Sequence, residues 1–184
     1  MRRDTRAMQN IKRMCTGLNI CPADVLHKST PVMRIYRDVI WMTAQRAENM
    51  KDEAAGFMGE SRLDTALTYL MEFAPTEQKQ DFESKVTSLF ETKWMVDLID
   101  TAFARVLDYP NCGRLYYEIL SMNYKTTIRY TESQMLELLN LERSTYYERK
   151  REAVMLFGVA LWGFAIPGIK NMLIEQQQIA AVLH

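Results

Sequence analysis

The spacing of apolar side chains predicts that most of this chain is helical. From residue 31 onward, apolar positions recur at intervals of three and four residues, as they do on the buried face of an amphipathic helix. Breaks in this pattern fall mostly at Pro and Gly residues, which end or interrupt helices. The predicted helices cover residues 31–49, 61–73, 76–107, 114–122, 131–139, 143–162 and 169–183. Strand-like alternation is confined to an ambiguous stretch at 126–130, so the pattern predicts an all-α helical bundle.

The sequence leaves one helix junction open and predicts particular buried and capping residues. The stretch 76–107 is either one long helix or two helices joined near residue 91. Its apolar stripe predicts that Trp94, Phe103 and Leu107 are buried against neighbouring helices. The first helix of the series has Pro31 in its first turn, with Ser29 or Thr30 as its cap.

The first 30 residues lack this period and carry a basic cluster. Gly17, Asn19 and Pro22 interrupt any helix there, so we expect residues 1–30 to be a basic, partly mobile N-terminal arm. Residues 31–109 would form a helical region for dimerisation or partner docking. Residues 110–184 would form a helix-turn-helix DNA-binding region with a C-terminal helix.

Composition and charge narrow the class of protein. Apolar residues make up 48% and charged residues 25%, which is typical of a soluble globular protein. Only 7 Gly and 5 Pro occur, which argues against turn-rich β folds and Gly-rich phosphate loops. The formal net charge is zero, but it is unevenly distributed: +5 over residues 1–50, −6 over 51–100 and +1 over the remainder. These three segments are therefore expected to have different partners.

Several classes of site are disfavoured. Cys15, Cys21, His27 and Cys112 miss the close Cys pairs that structural zinc prefers, so no metal or other cofactor is expected. With His27 as the one imidazole away from the terminus, and no nucleophile motif, an enzyme is not expected. No signal peptide is recognisable, and the apolar run Val154–Ile169 is interrupted and too short for a bilayer. We therefore expect a cytoplasmic protein that does not associate with membranes and has reduced thiols.

One pair of helices carries functional information. Thr131 can cap the first helix, and Gln134 completes the capping-box spacing. Asn140 can supply the left-handed residue that ends this helix, and Leu141 then points back into the core. A second helix follows within two residues, an arrangement typical of a helix-turn-helix.

The second helix has an inward and an outward face. The inward face comprises Tyr146, the alkyl stem of Lys150, Ala153, Val154 and Phe157. Residues 143–151 carry a net charge of +3, enough to dock one major groove. Arg can chelate guanine, Glu can accept from cytosine or orient an Arg, and Ser, Tyr and Lys can hold phosphates. The predicted DNA-binding residues are Arg143, Ser144, Tyr147, Glu148, Lys150 and Arg151, with Lys125 and Arg129 extending a basic strip.

A family resemblance rests on the same residues. Residues 139–147 read Leu-Asn-Leu-Glu-Arg-Ser-Thr-Tyr-Tyr, and residues 149–153 read Arg-Lys-Arg-Glu-Ala. This sequence resembles the helix-turn-helix of ArpU/RinA-type phage late transcriptional regulators, which are similar to the fourth region of bacterial sigma factors. The resemblance covers about residues 105–163, including the lead-in Leu115–Leu120 and Tyr124. The chain departs from the family pattern at Glu142, where Ser usually caps, and at Asn140, where the turn usually has Gly.

The resemblance implies a sequence-specific DNA-binding transcriptional regulator of phage or prophage origin. Its partners would be double-stranded DNA, RNA polymerase and a second copy of the chain. The alternative is a non-enzymatic helical phage assembly or packaging protein that uses the same helix pair as scaffold. A continuous basic strip joining Arg143, Lys150 and Arg151 to Lys125 and Arg129 would favour DNA binding, whereas burial of Arg143 and Tyr147 in a protein interface would favour the alternative.

Overall fold

The computed structural model describes residues 4–44 and 93–182, and no strand occurs within these two ranges. The prediction of an all-α fold is confirmed. The predicted helix 61–73, the possible junction near residue 91 and the side chain of Trp94 lie outside the described residues. The helices are α1 (Arg6–Gly17), α2 (Pro22–Ala44), α3 (Lys93–Leu107), α4 (Gly113–Leu120), α5 (Glu132–Leu139), α6 (Arg143–Ala160) and α7 (Ile166–Val182).

The expected N-terminal arm is instead helical and contributes to the core. Thr5 caps α1 by accepting a hydrogen bond from the backbone N–H of Met8. Met8, Ile11 and Cys15 lie on one face of this helix and are buried. The prediction of an arm without helical period was wrong, because three apolar positions are enough to seat a helix of this length on an existing core.

The start of α2 also differs from the prediction. The helix begins at Pro22, a residue suited to the first turn, and runs through Pro31 without ending. Ser29, one of the two predicted caps, is buried inside the helix, where its hydroxyl donates to the backbone carbonyl of Val25 at 2.6 Å. The predicted boundary at residue 30 therefore falls in the middle of a continuous helix. Burial of the apolar side chains around Pro31 offsets the hydrogen bond that a proline cannot make.

Helix α6 lies at the centre of the fold. Every residue from Glu152 to Ala160 is buried, as expected for a helix that is surrounded by others. Helices α1, α2, α3 and α4 all pack against it. The main buried cluster extends from Met8 to Ile166, so the described residues share one core across the expected boundary at 109/110. Phe103 is buried as predicted, but Leu107 is exposed, because it lies at the last residue of α3.

A smaller cluster joins α4, α5 and the first turns of α6. Its buried members are Ile119, Met135 and Tyr146, with Leu139 and Leu141 packed against them. The inward orientation of Tyr146 and Leu141 is therefore confirmed. The helical period of α5 would place Leu138 near Met135, but Leu138 is 64% exposed.

The sequence pattern predicted a helix break at Pro167, but the backbone stays helical through this residue. A π-helical turn, Leu161–Ala165, connects α6 directly to α7, which contains Pro167 near its start. The wider π turn gives a proline room where a regular α-helical turn would clash with it. As a result, Arg143–Met172 is one helical stretch that is long and apolar enough to cross a membrane, contrary to the length expected from sequence. Of its most apolar window, 67% is buried inside the protein, as in a central core helix.

Candidate nucleic-acid interface

The turn between α5 and α6 has the geometry predicted for it. Thr131 accepts a hydrogen bond from the backbone N–H of Gln134, and the Gln134 side chain accepts one from the backbone N–H of Thr131. Asn140 adopts the left-handed conformation, with φ 50° and ψ 49°. The backbone N–H of Leu141 donates to the carbonyl of Leu136 at 3.0 Å, and Asn140 donates to Glu137. This pair of bonds is a Schellman motif, which fixes the direction in which α6 leaves the turn.

The first turn of α6 is open to solvent. Glu142 occupies the cap position with extended backbone and makes no capping hydrogen bond through its side chain. Arg143, Ser144 and Tyr147 are all exposed, while Tyr146 between them is buried. The predicted division of this helix into an inward and an outward face is therefore confirmed for its first turns.

Glu132, on α5, organises the exposed face of α6. One of its carboxylate oxygens forms an ion pair of 2.7 Å with Nε of Arg143. The other accepts a hydrogen bond of 2.6 Å from the hydroxyl of Tyr147, which raises the pKa of that tyrosine. Sequence reasoning missed Glu132, because only the angle between the two helices brings it opposite Arg143.

Lys150 is not placed as predicted. Its alkyl stem faces inward. The ammonium also points inward and donates to the side-chain oxygen of Asn123 at 2.6 Å. It also lies 5.7 Å from the ring centroid of Tyr124 and 5.8 Å from that of Tyr146. Burial, and secondarily the positive charge of Arg34, lowers the pKa of Lys150. An acceptor on Ser121–Lys125, the π-helical turn after α4, therefore holds this ammonium, and its contact with a phosphate stays a prediction.

Lys125 is likewise engaged within the protein. Its ammonium forms an ion pair of 2.8 Å with Asp100 of α3. Burial alone would lower the pKa of Lys125, but Asp100 and, to a lesser extent, Tyr117 together outweigh it, so the pKa of Lys125 is raised. Arg129 is exposed on the loop before α5. The basic strip expected from Arg143 to Lys125 and Arg129 is thus interrupted at Lys125 and Lys150.

The remaining predicted residues lie further along α6. Glu148 is half-buried. Arg151 is exposed, and its guanidinium lies 3.5 Å from the carboxylate of Asp4, just before α1. Of the eight predicted side chains, the structure places Arg143, Ser144 and Tyr147 on one exposed surface, which we call the α6 face.

Neither a metal site nor a related protein helps to identify this surface. Within residues 4–44 and 93–182, no group of three or more His, Cys, Asp or Glu side chains is arranged to hold a metal ion. Comparison of the chain with known protein families, with characterised proteins and with solved structures finds no match. The resemblance to ArpU/RinA-type regulators therefore depends on the residues of the motif alone.

Proposed function

We propose that this protein is a sequence-specific DNA-binding transcriptional regulator of phage or prophage origin. The observation that carries the proposal is the α6 face, which presents Arg143, Ser144 and Tyr147 at the start of the second helix of a tightly turned pair. In helix-turn-helix proteins, the residues at the start of the second helix contact base edges in the major groove. The phage or prophage origin follows from the resemblance of residues 105–163.

The proposed roles follow the contacts of each side chain. Arg143 bonds Glu132 through its Nε and is 73% exposed, and its guanidinium would make a contact to guanine. Ser144 and Tyr147 would donate to bases or to the nearer phosphates. Arg129 and Arg151 would meet phosphates on either side. Lys150 holds Asn123 and has no contact with DNA in this proposal.

Partners and location are part of the proposal. A second copy of the chain would place a second α6 face on the duplex and double the length of the site that is read. RNA polymerase is the proposed protein partner, and the cytoplasm is where both it and DNA would be met.

Binding to fragments of the native phage genome tests the proposal, with fluorescence anisotropy recorded at several salt concentrations. We expect salt-dependent binding to a subset of fragments and a loss of about 1–3 kcal/mol for Arg143→Ala on the preferred fragment. Arg114→Ala is the matched control, because Arg114 is also exposed and paired with a carboxylate but lies on α4. Absence of salt-dependent binding, or equal effects of the two variants, would refute the proposal.

A helical phage assembly protein is the second candidate. The observation that favours it is the engagement of Lys125 by Asp100 and of Lys150 by Asn123, which interrupts the basic strip that DNA binding would use. Two large apolar side chains near α5, Ile128 and Leu138, are 59% and 64% exposed, as at a protein contact. Light scattering after size exclusion separates the candidates: concentration-dependent assembly that Leu138→Ser abolishes, without DNA binding, would support this second function.

A further inference from the structure

A cleft of about 860 Å³ lies between α1, α2 and the second half of α6. Its size falls within the range of about 300–1,000 Å³ that small-molecule sites occupy. Apolar side chains form much of its wall, including Leu26 and Pro31 from α2 and Met155 from α6. The three residues of the α6 face, in the first turns of the same helix, do not line it.

The polar part of the wall is basic. Lys12 from α1, His27 and Arg34 from α2, and Arg151 from α6 all line the cleft, and no Asp or Glu among the described residues does. These four side chains are far apart in the sequence and are brought together only by the packing of three helices. Cationic groups that converge on an apolar cleft favour an anionic occupant, since their mutual repulsion is then relieved.

One carboxylate of the protein already bonds two of these cations. Asp4, just before α1, forms an ion pair of 2.5 Å with Lys12, and its other oxygen lies 3.5 Å from Arg151. The hydrogen bond from Lys12 lowers the pKa of Asp4. Lys12 and Arg151 can therefore share a carboxylate, and Asp4 competes with any other anion for them.

Arg34 is the cation that Asp4 does not reach. It is exposed, and among the described residues no carboxylate lies within ion-pair distance of its guanidinium. Its charge also acts on Lys150, whose pKa it helps to lower. An incoming anion would thus find one uncompensated guanidinium and two cations that share a single carboxylate.

We propose that this cleft binds a small organic anion, with an apolar body against Leu26, Pro31 and Met155 and a phosphate or carboxylate group at Arg34 and Arg151. Both groups of contacts are needed, because the cations lie in solvent-accessible positions where an ion pair alone contributes little. The proposal does not depend on DNA binding, since it concerns a different class of ligand and shares only Arg151 with the residues proposed to contact DNA.

Isothermal titration calorimetry with three probes tests this on the full chain without DNA. The first probe, 1-naphthyl phosphate, carries both the charge and the apolar body. Inorganic phosphate carries only the charge, and 2-naphthol carries only the apolar body. We expect 1:1 binding of 1-naphthyl phosphate and affinities at least about tenfold weaker for the other two. Equal affinity for inorganic phosphate would overturn the proposal, because it would show a simple phosphate site such as a DNA backbone would use.

Variants locate the site. Arg34→Gln should weaken 1-naphthyl phosphate binding about tenfold or more, since a charge-assisted bond is lost. Ala23→Phe should block the cleft sterically, because Ala23 lines it. Asp4→Asn should strengthen binding several-fold by removing the competing carboxylate, an effect that a variant with a merely disturbed fold would not show. Arg114→Gln is the control and should leave the affinity unchanged.

Circular dichroism melts accompany each variant to confirm that it is folded. No binding of 1-naphthyl phosphate at millimolar concentration would overturn the proposal. So would equal effects of Arg34→Gln and Arg114→Gln, or unchanged affinity in Asp4→Asn. Because none of these measurements contains DNA, their failure would leave the proposed DNA-binding function to its own test.

Discussion

Glu132 and Arg143 are joined across the turn between α5 and α6 by an ion pair of 2.7 Å through Nε of the arginine. The bond anchors the guanidinium beside Tyr147, whose ring centroid lies 6.0 Å from Cζ of Arg143. The pair is largely exposed, with 73% of the Arg143 side chain accessible, so its contribution to folding stability is small. Its importance is the orientation that it gives to Arg143.

The first prediction follows from that orientation. Glu132→Gln should change the free energy of unfolding by no more than about 0.5 kcal/mol. It should increase the affinity for all DNA sequences, because a negative charge is removed. It should also reduce the ratio of the affinity for the preferred fragment to that for a scrambled fragment, because Arg143 is less well held. Fluorescence anisotropy with the preferred DNA fragment and with a scrambled fragment measures this ratio. Glu118→Gln, which breaks the exposed Arg114–Glu118 pair, is the control, and an equal change in both variants would contradict the prediction.

The close approach of α2 and α6 gives a second prediction. A Cβ atom at Gly158 would fall on the side chains of Val25 and Ser29, both of which are buried. Gly158→Ala should therefore destabilise the protein by about 1–3 kcal/mol through overpacking. Gly168, in α7, has nothing within 4 Å of its Cβ position, so Gly168→Ala should be neutral or stabilise by up to about 1 kcal/mol. Urea unfolding of both variants measures the difference, and equal stabilities would show that the two helices are not in contact at Gly158.

Asn123 gives a third prediction, because its side chain connects two residues of α6. It donates to the hydroxyl of Tyr146 at 2.9 Å and accepts from the ammonium of Lys150 at 2.6 Å. Asn123→Ala leaves the half-buried Lys150 without this acceptor and should cost about 1–3 kcal/mol. Thermal and urea unfolding test this value.

The matched variant for Asn123→Ala is Asn123→Asp, which keeps an acceptor for Lys150 but removes the donor to Tyr146. It should be less destabilising than Asn123→Ala, because a carboxylate beside the half-buried ammonium offsets the cost of its burial. If Asn123→Ala is as stable as the unchanged protein, Lys150 is free to turn outward, and the phosphate role first expected from the sequence regains support.

The fourth prediction concerns alkaline pH. The hydroxyls of Tyr36 and Tyr116 donate to Asp100 at 2.7 Å and to Glu152 at 2.8 Å. Burial first, and these carboxylates second, raise the pKa of both tyrosines above the ordinary value of 10.0. In the unfolded chain both hydroxyls lose their protons near pH 10, whereas in the folded protein they keep them. The stability due to these bonds is therefore complete below pH 10 and is lost as the pH rises beyond it.

Urea unfolding at pH values from 8 to 12 measures this loss. Each tyrosine should contribute a decrease of about 1.4 kcal/mol per pH unit above pH 10. Tyr36→Phe and Tyr116→Phe should each reduce the slope by that amount, and the double variant should reduce it by both. A slope that neither substitution changes would show that these hydroxyls ionise equally in the folded and unfolded chains.

Local features of the candidate site were predictable because they depend on neighbours in the sequence. The Thr131–Gln134 capping box and the left-handed Asn140 follow from short-range hydrogen bonding and from the backbone freedom of Asn. The inward orientation of Tyr146 follows from the period of the helix. The partners of the basic side chains did not follow from the sequence. Arg143 binds Glu132, Lys150 binds Asn123 and Lys125 binds Asp100, and in each pair the two residues lie on different elements.

The N-terminal helices show the same limit in the fold. A pattern of three apolar positions is too weak to predict α1 by itself, and Pro31 is ordinarily a reason to end a helix. Both α1 and the first half of α2 are nevertheless built into the core, where Met8, Ile11 and Val32 are buried. Tertiary packing supplies the free energy that local propensity lacks.

The sequence by itself determined that the chain folds into helices, where α5 turns into α6, and which face of the first turns of α6 is apolar. These depend on the period of the side chains and on bonds between residues a few positions apart. Only the tertiary structure decided which charges remain available. An ammonium or guanidinium binds the nearest carboxylate or amide oxygen in space. Lys125 and Lys150 are therefore engaged by Asp100 and Asn123, while Lys12, Arg34 and Arg151 meet at one cleft.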